Sequence, residues 1–388
     1  MYKDNGWLKD LVVPLRIGNP RKLEMAKRIF NYVRNNFTCT DHGRRSMDQT
    51  LKNLVKSKNG NVAEINLLLN AMLHYEDIEA APVLLSTRSN GYTYPLFPIA
   101  HQYNYVIARA VIDDKPYFLD ASEPKMGFGH LPVRCYNGHA RIINKNGEAT
   151  HLYTDSLNEV KYTSLFVIND DKGNWVGSMQ QTPGYYESYS LRNRIKEKGK
   201  EQLQKDIVQG FGPQIKMENF VIDSLELYEN PISMRYEFAI NDEKEDIIYL
   251  NPMFGEGQKE NPFKSAERKY PVEMPYKFDE SFNLQIEVPE GYVVDELPKS
   301  MIVKLNEENE GMFEYRISQS GDNISFRSRV RISRTVFQPE EYEMLREFFN
   351  LVVKSMLSRL YLKRKIADEK QIFLYNSSFI HFTAIDSR

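Results

Sequence analysis

Cysteine is scarce: Cys39 and Cys135 are the two in 388 residues. That is too few for a disulfide framework, and they are expected as two free, buried thiols rather than one bridge. An excess of one charge is missing too, since 51 basic residues stand against 53 acidic ones, a formal net charge of −2. This balance gives no electrostatic case for nucleic acid or an anionic membrane as the main partner. No apolar run approaches the roughly 18 residues of a bilayer span, so no membrane span is expected. Residues Met1 to Trp7 lack the basic and apolar regions of a signal peptide.

What is present is the composition of an ordinary globular protein, 41% hydrophobic, 27% charged and 12% aromatic. The length suits two or three domains, each able to bury a core. After Gly18-Asn19-Pro20, the residues Leu23, Ala26, Ile29, Phe30, Val33 and Phe37 recur at helix spacing. A polar loop is expected from Thr38 to Ser46, and a second helix from Gln49 to Lys56. Asn59-Gly60 then breaks the chain before a third helix, Val62 to Tyr75, with Ile65, Leu68, Leu69, Met72 and Leu73 on its apolar face. Beyond Asp77 the pattern turns to strands at 82–87, 103–110, 117–120 and 140–143. Helices first and strands after predict an α+β domain over residues 1–155, with the helices packed on an antiparallel sheet.

From about Val160 the pattern is mainly strands. Tyr162–Ile168 and Trp175–Gln181 bracket the turn Asp170 to Asn174, a hairpin signal. Tyr185 to Gln209 reads as a helix interrupted at Gly199, and its interspersed acids and bases mark a solvated face rather than a partner site. Phe282, Leu284, Ile286 and Val288 alternate, as do Phe313, Tyr315 and Ile317, and then Ile324, Phe326, Val330 and Ile332. Gln338-Pro339-Glu340-Glu341 opens a last helix whose apolar face carries Tyr342, Leu345, Phe348, Phe349, Val352 and Met356. An antiparallel β-sandwich-like domain with a helical insertion and a C-terminal helix is therefore expected over 156–360. Residues 361–388 form a tail without a convincing period.

Three segments, read together, carry a family resemblance: Gly60-Asn61-Val62-Ala63-Glu64, Tyr103-Asn104-Tyr105-Val106-Ile107 and Tyr117-Phe118-Leu119-Asp120-Ala121. In order and spacing they resemble the core of the transglutaminase-like superfamily, whose papain-like site has Cys at a helix start, then His and Asp on strands. Pro289-Glu290-Gly291-Tyr292 to Leu297-Pro298 resembles the β domain of unknown function that follows this core in many bacterial proteins, notably from Bacteroidetes. Matched residue by residue, Val62 stands at the Cys position, Tyr105 at the His position, and Asp120 is retained. An isopropyl group cannot attack a carbonyl, and a phenol with a pKa near 10 is a poor general base at neutral pH. Tyr105 can still donate a hydrogen bond to Asp120.

The resemblance implies a degenerate site, that is, a pseudoenzyme that binds an extended polypeptide in a groove lined by Asn61, Val62, Asn104, Tyr105 and Asp120. It further implies a cell-envelope or periplasmic scaffolding module, monomeric or part of a larger multidomain chain, because relatives add a β domain before the core and a secretion signal. The partner expected is a polypeptide or a cell-envelope component. The alternative is a thiol acyltransferase or cysteine peptidase with a relocated nucleophile, Cys39, helped by His42, Arg44 and Arg45. The local pairs Cys39 with His42 and Cys135 with His139 lack tight Cys-x-x-Cys spacing, so no metal and no other cofactor is called for.

Overall fold

The computed structural model describes residues 6–97, 99–211, 215–240 and 245–365. The N-terminal part runs α1 (Gly6–Val12), α2 (Lys22–Asn36), β1 (Thr38–Asp41), α3 (Leu51–Ser57), β2 (Asn59–Asn61) and α4 (Val62–Tyr75). Strands β3 (Glu79–Leu85), β4 (Tyr105–Ile112), β5 (Lys115–Leu119), β6 (Gly138–Ile142) and β7 (Ala149–Leu152) follow. These five form one antiparallel sheet in the order β5-β4-β3-β6-β7.

Helix α4 begins where its sequence dictates. The Asn61 side chain accepts from Glu64 N–H, and the Glu64 carboxylate accepts from Asn61 N–H, each at 3.0 Å, which is a reciprocal capping box. Along its buried side, Leu68, Leu69 and Met72 meet Ala108 and Ala110 of β4 and the apolar face of α2. Alanines on the strand leave room for the helix to sit close. The other face of the sheet, with Val83, Leu85, Tyr105 and Ile107, packs on Leu131 and Cys135.

One local reading changes. Thr38–Asp41, expected as part of a polar loop, is strand β1, paired in parallel with β2 so that Cys39 lies opposite Gly60. None of its four residues is fully buried, so there was no apolar alternation to see. The partner supplies the order.

The remaining elements are β8 (Asn158–Asn169), β9 (Trp175–Thr182), α5 (Tyr185–Lys198), α6 (Lys200–Phe211), β10 (Ile215–Asp223), β11 (Ser233–Ile240) and β12 (Ile247–Leu250). Then come β13 (Val272–Glu273), β14 (Lys277–Glu287), β15 (Tyr292–Glu296), β16 (Met301–Lys304), β17 (Gly311–Ser320), β18 (Asn323–Ile332), β19 (Val336–Phe337), α7 (Tyr342–Met356) and β20 (Leu360–Arg364). Eight of the strands build one large sheet in the order β10-β11-β9-β8-β14-β18-β17-β16, antiparallel except for the parallel pair β8 and β14. Helix α7 and the small sheet β12-β20-β15 cover its inner face, where Leu165, Leu284, Phe313 and Phe326 meet Leu345, Phe349, Val352 and Leu362. Strand β20 takes up residues 360–364, whereas 366–388 lie outside the described residues. Gly199, at φ 86°, separates α5 from α6.

Helix α5 ties the β-rich part to the N-terminal part. Tyr186 Oη donates to Leu131 O at 2.9 Å and Tyr189 Oη to Glu123 at 2.6 Å. Its first turn is held by Glu159 of β8, which accepts from Tyr186 N–H at 2.9 Å. A Cβ at Gly184 would sit 2.1 Å from a Glu159 oxygen, so a larger residue there would displace this carboxylate from the helix start. Burial pushes the Glu159 carboxyl up to about 7, against hydrogen bonds from the α5 backbone that favour its charged form. A folded-state pKa above the unfolded value near 4.3 gives stability that is present below pH 4.3 and lost as pH rises through about 7. The span corresponds to a contribution on the order of 3 kcal/mol. Urea titrations of wild type and Glu159→Gln across this window are expected to show the wild type losing stability relative to the variant as pH rises. A constant difference contradicts the assignment.

Candidate functional site

Asp120 sits just past the end of β5, fully buried, and both of its oxygens accept hydrogen bonds. Oδ2 accepts from Tyr105 Oη at 2.7 Å. Oδ1 accepts from Asn66 Nδ2 at 2.9 Å, from Ser122 N–H at 3.0 Å and from Ser122 Oγ at 2.6 Å. Asn66, one turn into α4, also donates to Val106 O and accepts from Ala121 N–H, so helix, strand and loop are pinned at one point. Val62, at the first position of α4, is a fully buried member of the apolar cluster around Tyr105.

Tyr105 is likewise fully buried. Burial, and then the Asp120 charge, hold its phenol well above the usual range, so at neutral pH it is a hydrogen-bond donor and not a base. Arg134 donates to Tyr105 Oη at 2.7 Å and forms a close ion pair with Glu123, which also accepts from Tyr189.

Cys39 lies beside this cluster. Its Sγ is 3.5 Å from His42 Nδ1, and the thiol donates to the Asp41 carbonyl at 3.6 Å. The same Nδ1 lies 3.5 Å from Tyr105 Oη, 3.2 Å from Arg134 and 3.4 Å from Glu123 Oε1. A thiol–imidazole–carboxylate relay needs one ring nitrogen facing the thiol and the other facing the carboxylate. Here a single nitrogen meets both. Burial, with a smaller contribution from the Asp120 and Glu123 charges, pushes the Cys39 thiol up to about 12. Cys135 is a second free thiol, fully enclosed, and burial raises it as well. Among the described residues no group of three or more His, Cys, Asp or Glu side chains is arranged to hold a metal ion.

Of the five residues expected to line a groove, Val62, Tyr105 and Asp120 are fully enclosed and Asn61 nearly so; Asn104 is turned to another task, its amide bonded to Thr87 N–H and Oγ1. The entry over the α4 N-terminus is occupied by the chain's own segment 43–49. Glu64 Oε1 accepts from Asp48 N–H at 2.7 Å and Gln49 N–H at 2.9 Å, and Asn61 Nδ2 donates to Ser46 O at 3.1 Å. Arg45 adds a bond to Tyr103 O. Burial raises the Glu64 carboxyl, but the hydrogen bonds from Gln49, Asn61 and Asp48 outweigh it and hold it below its ordinary value.

Sequence reasoning did not single out Asn66, Ser122, Glu123, Arg134 or Tyr189. Asn66 carried a signal, a polar residue inside an apolar helix four positions after Val62. Arg134 and Tyr189 carried none, since both arrive from distant segments.

Residues 9–121 match the family model of the transglutaminase-like superfamily, and residues 246–362 match a domain of unknown function with solved structures, DUF3858. The crystal structure of a "putative protease" from Parabacteroides distasonis shares the fold, with a TM-score of 0.54 at 12% identity. The match covers 93% of this chain and 56% of that one, so the chain spans little more than half the length of that protein. No curated protein matches the chain. The chain therefore carries a transglutaminase-like core domain at its N-terminus, followed by a DUF3858 domain.

Proposed function

We propose that the protein is a non-catalytic, transglutaminase-like scaffolding module of a cell-envelope protein, engaging a polypeptide partner through surfaces other than its degenerate site. The observation that supports this most is the state of Asp120. Its four hydrogen bonds come from residues that fix the helix and the sheet together, with no ring nitrogen among them. In an active member the equivalent carboxylate orients an imidazole; here it orients a phenol that cannot accept a proton at neutral pH.

A thiol acyltransferase or cysteine peptidase built on Cys39 is the second reading, favoured by the 3.5 Å approach of Cys39 Sγ to His42 Nδ1. Against it stand the shared nitrogen and the raised thiol. Mass spectrometry of amine incorporation into glutamine peptides, and of peptide cleavage, separates the two. No turnover above that of Cys39→Ala is expected; turnover that vanishes in Cys39→Ala overturns the scaffolding proposal.

A further inference from the structure

The outer face of the large sheet carries an arrangement that folding does not require. On β18 the alternation Arg327, Arg329, Arg331 places three guanidiniums on that face, while Phe326, Val330 and Ile332 point into the core. Across the ladder, Arg316 of β17 stands directly opposite Arg327. Like charges directly opposite on one face are destabilising. Glu314 is shared between them, at 2.7 Å from Arg316 and 3.8 Å from Arg327, whereas Arg329 already has a two-pronged partner in Asp279 at 2.8 and 2.5 Å. Two guanidiniums on one carboxylate leave positive charge in excess, on a protein whose net charge is −2.

Apart from the two arginines, the hollow they border is lined by uncharged groups, part hydrogen-bonding groups and part apolar side chains, Met301, Ile302, Ile317 and Phe326. Asn283 of β14 is the ladder neighbour of Arg327, and the next row runs Phe166, Gln285, Ser325 and Ser318 across four strands. Asn283, Gln285, Ser318 and Ser325 line, with both arginines, a concavity of about 710 Å³. Ile302 of β16, which lines the same concavity, keeps about half of its surface exposed (54%). The Arg316 and Arg327 side chains are 62% and 47% exposed.

We propose that this face binds an acidic saccharide, a chain of hydroxyl-rich rings bearing carboxylates. Arg327 and Arg316 take the carboxylate, the amides and hydroxyls take ring hydroxyls, and the exposed Ile302 side chain meets an apolar sugar face. An acidic peptide fits less well. Where the concavity reaches the edge of the sheet, both backbone groups of Ile317 are already taken by Ser300 Oγ, so strand addition, which gives peptides their main-chain hydrogen bonds, is closed there. One excess charge among neutral side chains is also too little for a nucleic acid.

Calorimetric titration of the full chain with an oligogalacturonate, a neutral cello-oligosaccharide and an oligoglutamate peptide tests this. Binding of the oligogalacturonate is expected, weakened about tenfold in Arg327→Ser. Asn283→Ala, which leaves the charges alone, is expected to weaken it about threefold. Arg327→Ser keeps the Arg316–Glu314 pair and removes the like-charge opposition, so its melting temperature is expected at or above that of wild type. No oligogalacturonate binding, equal binding by both variants and wild type, or oligoglutamate or neutral sugar bound as tightly would each overturn the proposal.

Discussion

Asp120→Ala is expected to cost about 3–5 kcal/mol of folding stability, because several buried donors are left unsatisfied together. Four donors from Asn66, Tyr105 and Ser122 lose their acceptor at once, in an interior from which water is excluded. Arg134 donates to the same Tyr105 hydroxyl and pairs with Glu123, which accepts from Tyr189 of α5, so the loss spreads into the contact between α5 and the N-terminal part. Asp120→Asn keeps the volume and one acceptor oxygen, and about 1–2 kcal/mol is expected for it. Urea unfolding of the three proteins reads these values. An orienting carboxylate in a working site behaves oppositely, since its removal abolishes turnover while the fold survives. An Asp120→Ala variant within about 1 kcal/mol of wild type would mean that the carboxylate is held for chemistry and not for structure.

The comparison between Asp120 and Cys39 explains what the sequence made legible. Helix α4 was readable because Ile65, Leu68, Leu69, Met72 and Leu73 recur at helix spacing and Asn59-Gly60 marks a break before it. The hairpin of β8 and β9 and the alternating β14, β17 and β18 were readable because each buries one face. The Tyr105–Asp120 bond followed from two strands joined by a tight turn. The covering of the site was not readable, although its cause was in view. Glu64 stands in the Gly60-to-Glu64 motif, but its Oε1 accepts from the backbone of Asp48 and Gln49, a contact across 15 and 16 residues that no local pattern marks. Strand β1 was missed for a related reason, because its order comes from β2 and not from its own alternation. The parallel pairing of β8 with β14 joins segments far apart in the chain, and Tyr189 meets Glu123 across the boundary between the two parts. Such contacts are properties of the assembled fold.

Cys39 carries the remaining chemical question, and its proximity to His42 makes the question sharp. A thiol that serves as a nucleophile is kept as thiolate by a cationic partner. Cys39 has instead a half-buried position with two carboxylates nearby, and burial first, then those charges, push its pKa up to about 12 against the opposing effects of the Asp41 backbone and Arg134. Against an ordinary value of 9.0, that leaves roughly a thousandfold less thiolate at neutral pH. Alkylation by iodoacetamide, followed by peptide mass spectrometry at Cys39 in the native and the urea-denatured protein, measures this directly. The native thiol is expected to react at least about a hundredfold more slowly than the denatured one. Native alkylation faster than denatured, and lost in His42→Ala, would contradict a non-catalytic site.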